Sequence, residues 1–171
     1  MQQQETSPMK LLMSNFAKEG IVEWIGVRPG KREDMIILER VIAKIGSGLE
    51  GDRFRGSTNS PRQVTLIQKE HIQAVASFMK MEFIQPFLLR RNIVVSGINL
   101  LAFKEKQFQI GDAILEMSGL CHPCSRMEEA LGAGGYNAMR GHGGITAKVI
   151  REGEIRLGDQ IKIIDNTSLN S

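Results

Sequence analysis

Cysteine is nearly absent from this chain of 171 residues, which has two. Two thiols are too few for a disulfide framework, and without an export signal they are expected to stay reduced in the cytoplasm. The opening stretch MQQQETSPMKLLMSNF lacks a charged segment followed by an apolar run of about 7–15 residues, so no secretory leader is read there. Nothing approaches the ~20 consecutive apolar residues of a membrane span, so no membrane partner is expected. Aromatics are scarce too, with one Trp and one Tyr. That leaves little material for stacking unpaired bases, and nucleic acid is not an expected partner. No Rossmann-type glycine turn leading from a strand into a helix is read, so neither a bound flavin nor NAD is expected.

What is present is ordinary globular material, 42% apolar and 24% charged, in a length suited to one domain with a real core. The net charge of +3 fits a solvated surface or a site for a phosphate-bearing small molecule. Residues 1–18 read as a loose or partly helical arm, 19–165 as the domain and 166–171 as a tail. IVEWIGV, QVTLI and RRNIVVSGINL have strand texture, and MIILERVIAKI reads as one longer strand. In KQFQIGDAILEM and GEIRLGDQIKII, Gly111-Asp112 and Gly158-Asp159 mark tight bends between extended stretches. GSGLEGDRFRGSTNSPR is a long loop. In QKEHIQAVASFMK, Ile72, Val75, Ala76 and Met79 recur at helical spacing. The expected architecture is mainly β and barrel-like, with two short helices near residues 68–80 and 125–131.

Both cysteines fall in GLCHPCSRM, residues 119–127, a pattern open to three interpretations. Ser125 followed by Glu128 resembles a capping box and Gly132 a helix stop, which puts Cys124 just before a helix N-terminus. The unpaired amides there, the macrodipole and Arg126 favour thiolate over thiol, making Cys124 the better nucleophile or soft-metal ligand. A thioredoxin-type redox pair would need a βαβ unit around the motif and further strands plus a helix after it. Here about forty residues follow, reading as a glycine-rich loop and two strands. Structural zinc needs four ligands, and His71, His122 and His142 lack paired spacing with the cysteines. His71 reads as a helix-surface residue and His142 as a loop residue.

GLEGDRF, RQVTLIQKEHI, RRNIVVSGINL, FQIGDAILEM, CHPCSRMEEALG and RGHGGITAKVIREGEIRLGD together resemble the MOSC domain, found at the C-terminus of molybdenum cofactor sulfurases and in stand-alone bacterial proteins. The likeness runs from about Ile21 to Ile164. It implies a β-barrel like the pyruvate kinase barrel domain, and one cysteine that carries sulfur or binds molybdenum. Pro123-Cys124 matches the family's Pro-Cys form, whereas Cys121 falls at a more variable position.

The implied cofactor is molybdopterin, the molybdenum cofactor, a phosphorylated pterin dithiolene whose phosphate calls for cations and oriented amides. Arg53, Arg91, Asn92 and Arg126 are the candidates for it and are expected to converge with Cys124 on one pocket. Gly143 and Gly144 would let backbone approach an anionic ligand, and Asp52 would orient Arg53. The chain lacks the pyridoxal phosphate-binding, aminotransferase-like domain of full-length sulfurases, so a sulfur donor or an electron-transfer protein is the implied partner. Two roles stay open. One is metal–sulfur chemistry, including reduction of N-hydroxylated substrates as in some family members; the other is non-catalytic delivery of cofactor or sulfur.

Overall fold

Alternation shapes the first long strand, β1 (Gly20–Val27): Val22, Ile25 and Val27 turn inward, while Ile21 and Glu23 face solvent. The structure, a computed structural model, describes residues 7–54 and 56–164. β2 (Ile36–Leu38) lies along the outer edge of β1. The barrel is completed by β5 (Val64–Gln68), β6 (Ile93–Ser96), β7 (Gln107–Ile110), β8 (Ala113–Leu120), β9 (Ile145–Arg151) and β11 (Gln160–Ile163). Their order is β11-β7-β8-β9-β5-β6-β1, and β1 returns to β11 through Gly20 opposite Ile161. Seven strands thus close on themselves. Closure removes the unpaired edges that would otherwise invite association. β3 (Arg40–Lys44), β4 (Gly48–Leu49) and β10 (Gly153–Arg156) form a separate three-stranded sheet.

The one parallel pairing in the barrel, β5 with β6, is bridged by α2 (Lys69–Phe78), because parallel neighbours need a crossover. All five residues of β5 are buried. Leu66 faces the barrel core with Ile25, Phe103, Phe108 and Leu115, and Ile67 faces a second core under the helices with Ile72, Val75 and Leu89. A strand covered on both faces reads as a continuous apolar run rather than an alternation.

Several expectations are refined. MIILERVIAKI is two strands in two sheets, split at Glu39, whose carbonyl accepts a hydrogen bond from the Leu157 amide. Three strands follow the cysteines rather than two, along with α4 (Ser125–Leu131) and α5 (Gly135–Met139). α5 and α3 (Pro86–Leu89) are five and four residues long, too short to show helical periodicity in sequence. GSGLEG at residues 46–51 has the spacing of a dinucleotide fingerprint, but it forms the β3–β4 turn and no helix follows. Gly48 has φ 81°, and a Cβ there would strike the Gln63 carbonyl.

The arm is helical over α1 (Pro8–Ser14), capped by the Ser7 hydroxyl. Phe16 anchors it, packing edge-on against Phe103 with ring centroids 5.8 Å apart. Residues 1–6 of the arm and the tail at 166–171 lie outside the described residues. No described helix is long and apolar enough to cross a membrane.

His71 and His142 are partners rather than separate surface residues. Their rings meet edge to face at 4.7 Å, and the Nδ1 atom of each is buried without a hydrogen-bond partner among the described residues. Burial, and then His142, hold His71 below its ordinary value, against the pull of Glu70. The unfolded chain therefore takes up this proton first. Stability is present above pH 6.5 and is lost as pH falls through the folded-state pKa. Thermal melts between pH 7.5 and 5.5 should show a smaller acid-side fall for His71→Phe than for the parent protein; equal falls would remove His71 as a source.

Candidate functional site

At the end of β8 the Cys121 amide still donates to the Gly144 carbonyl, 2.9 Å away, extending the ladder by one residue. Pro123 has no N–H to continue it. The chain then turns into α4 with Cys124 itself as the N-cap residue, in an extended conformation. The expected capping box is not formed. Glu128 instead accepts from the amides of Gly134 and Tyr136, at 2.7 and 2.8 Å, and ties down the start of α5. These two amides hold its carboxyl below the usual range. The reason is the tight turn after Gly132: Gly132 and Gly134 both have φ 90°, and the turn carries those amides back to the helix.

The two cysteines have different surroundings. Cys121 is buried, with an Arg62 nitrogen 4.0 Å from its sulfur, and Cys124 is exposed. Beside Cys124 is a cavity of about 340 Å³ lined by Arg28, Lys31, Arg32, Arg53, Arg90 and Arg126, together with Gly30 and Met127. Among these cations only Arg28 has an ion pair within the described residues. Asp52, nearly fully buried, accepts its Nη2 at 3.0 Å and also its backbone amide at 2.7 Å. Asp52 therefore fixes Arg28 rather than Arg53. Arg53 is positioned through its own backbone, its amide donating to the Arg28 carbonyl at 2.6 Å.

Two of the pocket arginines have left-handed backbone, Arg32 at φ 62° and Arg90 at φ 57°. A side chain in that region costs energy, and such residues concentrate at functional sites. Burial, then Arg126 and Arg28, lower the Arg90 pKa from its ordinary value, so like charges are being held together. A second lobe of about 660 Å³ shares Arg32, Arg90 and Arg126 and adds Phe87, Met35, Asp34 and Glu129.

The structure thus brings Arg53, Arg126 and Cys124 to one pocket, but not the other sequence candidates. Arg91 faces inward. Its Nε donates to the Gly143 carbonyl and its Nη1 to the Leu89 carbonyl, both at 2.8 Å, and its Nη2 lies 3.5 Å from the Cys121 carbonyl. Asn92 is fully buried, accepting from the Thr65 amide and hydroxyl and donating to the Gly26 carbonyl. The left-handed residue that ends α3 sends Arg90 to the pocket and its neighbour to the interior. Gly143 and Gly144 do permit close approach, but of the chain to itself: a Cβ on either would strike the carbonyls of Cys121 or Leu66. Arg28, Lys31, Arg32 and Arg90 were missed. For the first three the signal is the bunching of cations in RPGKRED, which also has turn character; Arg90 stands in RRNIVV, where nothing in the sequence separates it from Arg91. No group of three or more His, Cys, Asp or Glu side chains that could hold a metal occurs among the described residues.

A family model for the MOSC domain matches residues 51–162. No protein of curated function is similar to the chain in sequence. Among solved structures, the YuaD protein of Bacillus subtilis superposes with a TM-score of 0.73 at 21% identity, over 85% of this chain and 96% of its own. YiiM from Escherichia coli gives 0.66 at 18% identity, over 87% and 71%. YiiM from Geobacillus stearothermophilus gives 0.67 at 15%, over 85% and 75%. At these identities the likeness is one of fold.

Arg91→Ala would leave three buried carbonyls without their donor and should cost about 2–4 kcal/mol, read as a lower melting temperature. An unchanged melting temperature would refute the clamp. In alkylation of the folded protein, Cys124→Ser should abolish the fast-reacting thiol and Cys121→Ser should leave it, as their burial requires; the reverse order would exchange their roles.

Proposed function

The chain belongs to the MOSC domain family, and we propose that the cleft beside Cys124 binds the molybdenum cofactor, with the Cys124 thiolate as the metal or sulfur site. One observation carries this: an exposed thiol opens onto a pocket ringed by six cationic side chains, only one of them in an ion pair among the described residues. The donor set fits the group. Thiolate is a soft ligand, and guanidinium forks match phosphate and oxo oxygens. When bound, the cofactor would supply a molybdenum centre able to accept electrons or sulfur.

The chain's own residues supply position and charge. Arg53, Lys31 and Arg32 neutralise and orient the phosphate, while Arg126 sits two residues from the thiol, on the first turn of α4. The second lobe, with Phe87 on one wall and Asp34 and Glu129 among its polar groups, admits an organic substrate such as an N-hydroxylated compound. Electrons or sulfur come from a partner protein. The exposure of Cys124 also favours a second reading, in which the chain hands cofactor or sulfur on without catalysing a reaction. Turnover of N-hydroxylated substrates with an added electron donor separates the two.

Protein purified from a cofactor-producing host should carry molybdenum and pterin in mass and metal analysis. Arg53→Ala should lower retention by about one to two decades, the effect of losing one charge-assisted contact, without lowering the melting temperature. Cys124→Ser should keep pterin and lose metal. Absence of both pterin and metal from the parent protein would reject the proposal.

A further inference from the structure

An apolar helix face and an apolar groove, both outside the arginine cleft, lack a partner among the described residues. The first is α1. None of its seven residues is buried, and Met9, Leu11, Leu12 and Met13 are each more than half exposed. Its start is nonetheless built for helix, with Pro8 in the first turn and Ser7 as cap. Met9, Leu12, Met13 and Phe16 fall at helical spacing, and only Phe16 is docked. A helix this short is marginal in water and needs a surface to hold it.

The second surface is a groove of about 650 Å³ between α2 and residues 81–86, floored by Trp24, Ile72, Ala76, Ile84 and Val94. Phe83, 62% exposed, stands on its rim. Glu23 and Glu82 line it against a single Lys69, while α1 carries Lys10 and no acid. Apolar matches apolar, and the charges are opposite.

We propose that α1 of one copy seats in this groove on a second copy, reciprocally, giving a twofold dimer by arm exchange. A tethered helix has a large advantage in local concentration for its own groove. Here the same chain holds α1 out in solvent and its groove open, so the tether at Phe16 is not delivering it there. A second copy is not subject to that constraint, and a reciprocal contact closes after two subunits. Two arms, each inserting three or four large side chains, would bury an area near the low end of stable interfaces, on the order of 1,200 Å².

The full chain should sediment at twice its monomer mass at about 100 µM. Leu12→Asp and Phe83→Asp alter exposed side chains, so each should keep the parent melting temperature and sediment as a monomer. Mixing the two restores one intact arm and one intact groove, and a weaker heterodimer should reappear. A parent protein that stays monomeric overturns the proposal, as does a dimer that survives both substitutions. So does a monomer that floats with anionic vesicles through Leu12, which would make α1 a membrane-surface helix.

Discussion

One buried cation, the Arg91 guanidinium, ties the backbone that leads to the Cys124 turn to two other segments. It joins three segments far apart in sequence: the end of α3 at Leu89, the loop at Gly143 and the last ladder residue, Cys121. All three acceptors are backbone carbonyls, so the clamp reads chain position and not side-chain identity. Burying a cation without a carboxylate is costly, and burial does push the Arg91 pKa down from its ordinary value. Arginine bears this better than lysine, because its charge is delocalised and its donors are already set in a plane. The same burial strengthens its hydrogen bonds, since no water competes for them.

The pocket beside Cys124 gathers like charges. Six cations face one cavity and two of them adopt left-handed backbone. Asp52 neutralises one by gripping both the side chain and the amide of Arg28, and so also sets the end of β1. Burial, and after it the neighbouring Arg126 and Arg28, lower the Arg90 pKa from its ordinary value. A multiply charged anion bound there would offset the like charges that line the cavity.

Much of this was legible in the sequence, and what failed did so for local reasons. Alternation and Gly-Asp turns placed β1, β5, the β7–β8 hairpin and the last strands, and apolar periodicity placed α2. A spacing of two or three residues cannot distinguish an arginine that faces solvent from one that faces inward. That choice depended on the left-handed turn at Arg90, where no glycine marked it. The glycines of RGHGGITAKV suggest close approach of backbone to an anionic ligand, whereas Gly143 and Gly144 lie against the Cys121 and Leu66 carbonyls, a partner that sequence does not specify. His71 and His142 lie 71 positions apart, and only the packing of α2 beside the loop before β9 brings their rings together.

The asymmetry of the two cysteines follows from where the ladder stops. Cys121 is the last residue held by β9's neighbourhood, its amide given to Gly144 and its carbonyl facing Arg91. Two residues later Pro123 has ended the ladder, and Cys124 begins a helix with its side chain toward solvent. Cys121 is thus held through its backbone on both sides and keeps its sulfur buried, whereas the Cys124 sulfur is exposed. The structure therefore presents one exposed thiol beside the pocket, and Cys121 belongs to the hydrogen-bonded backbone that leads to it.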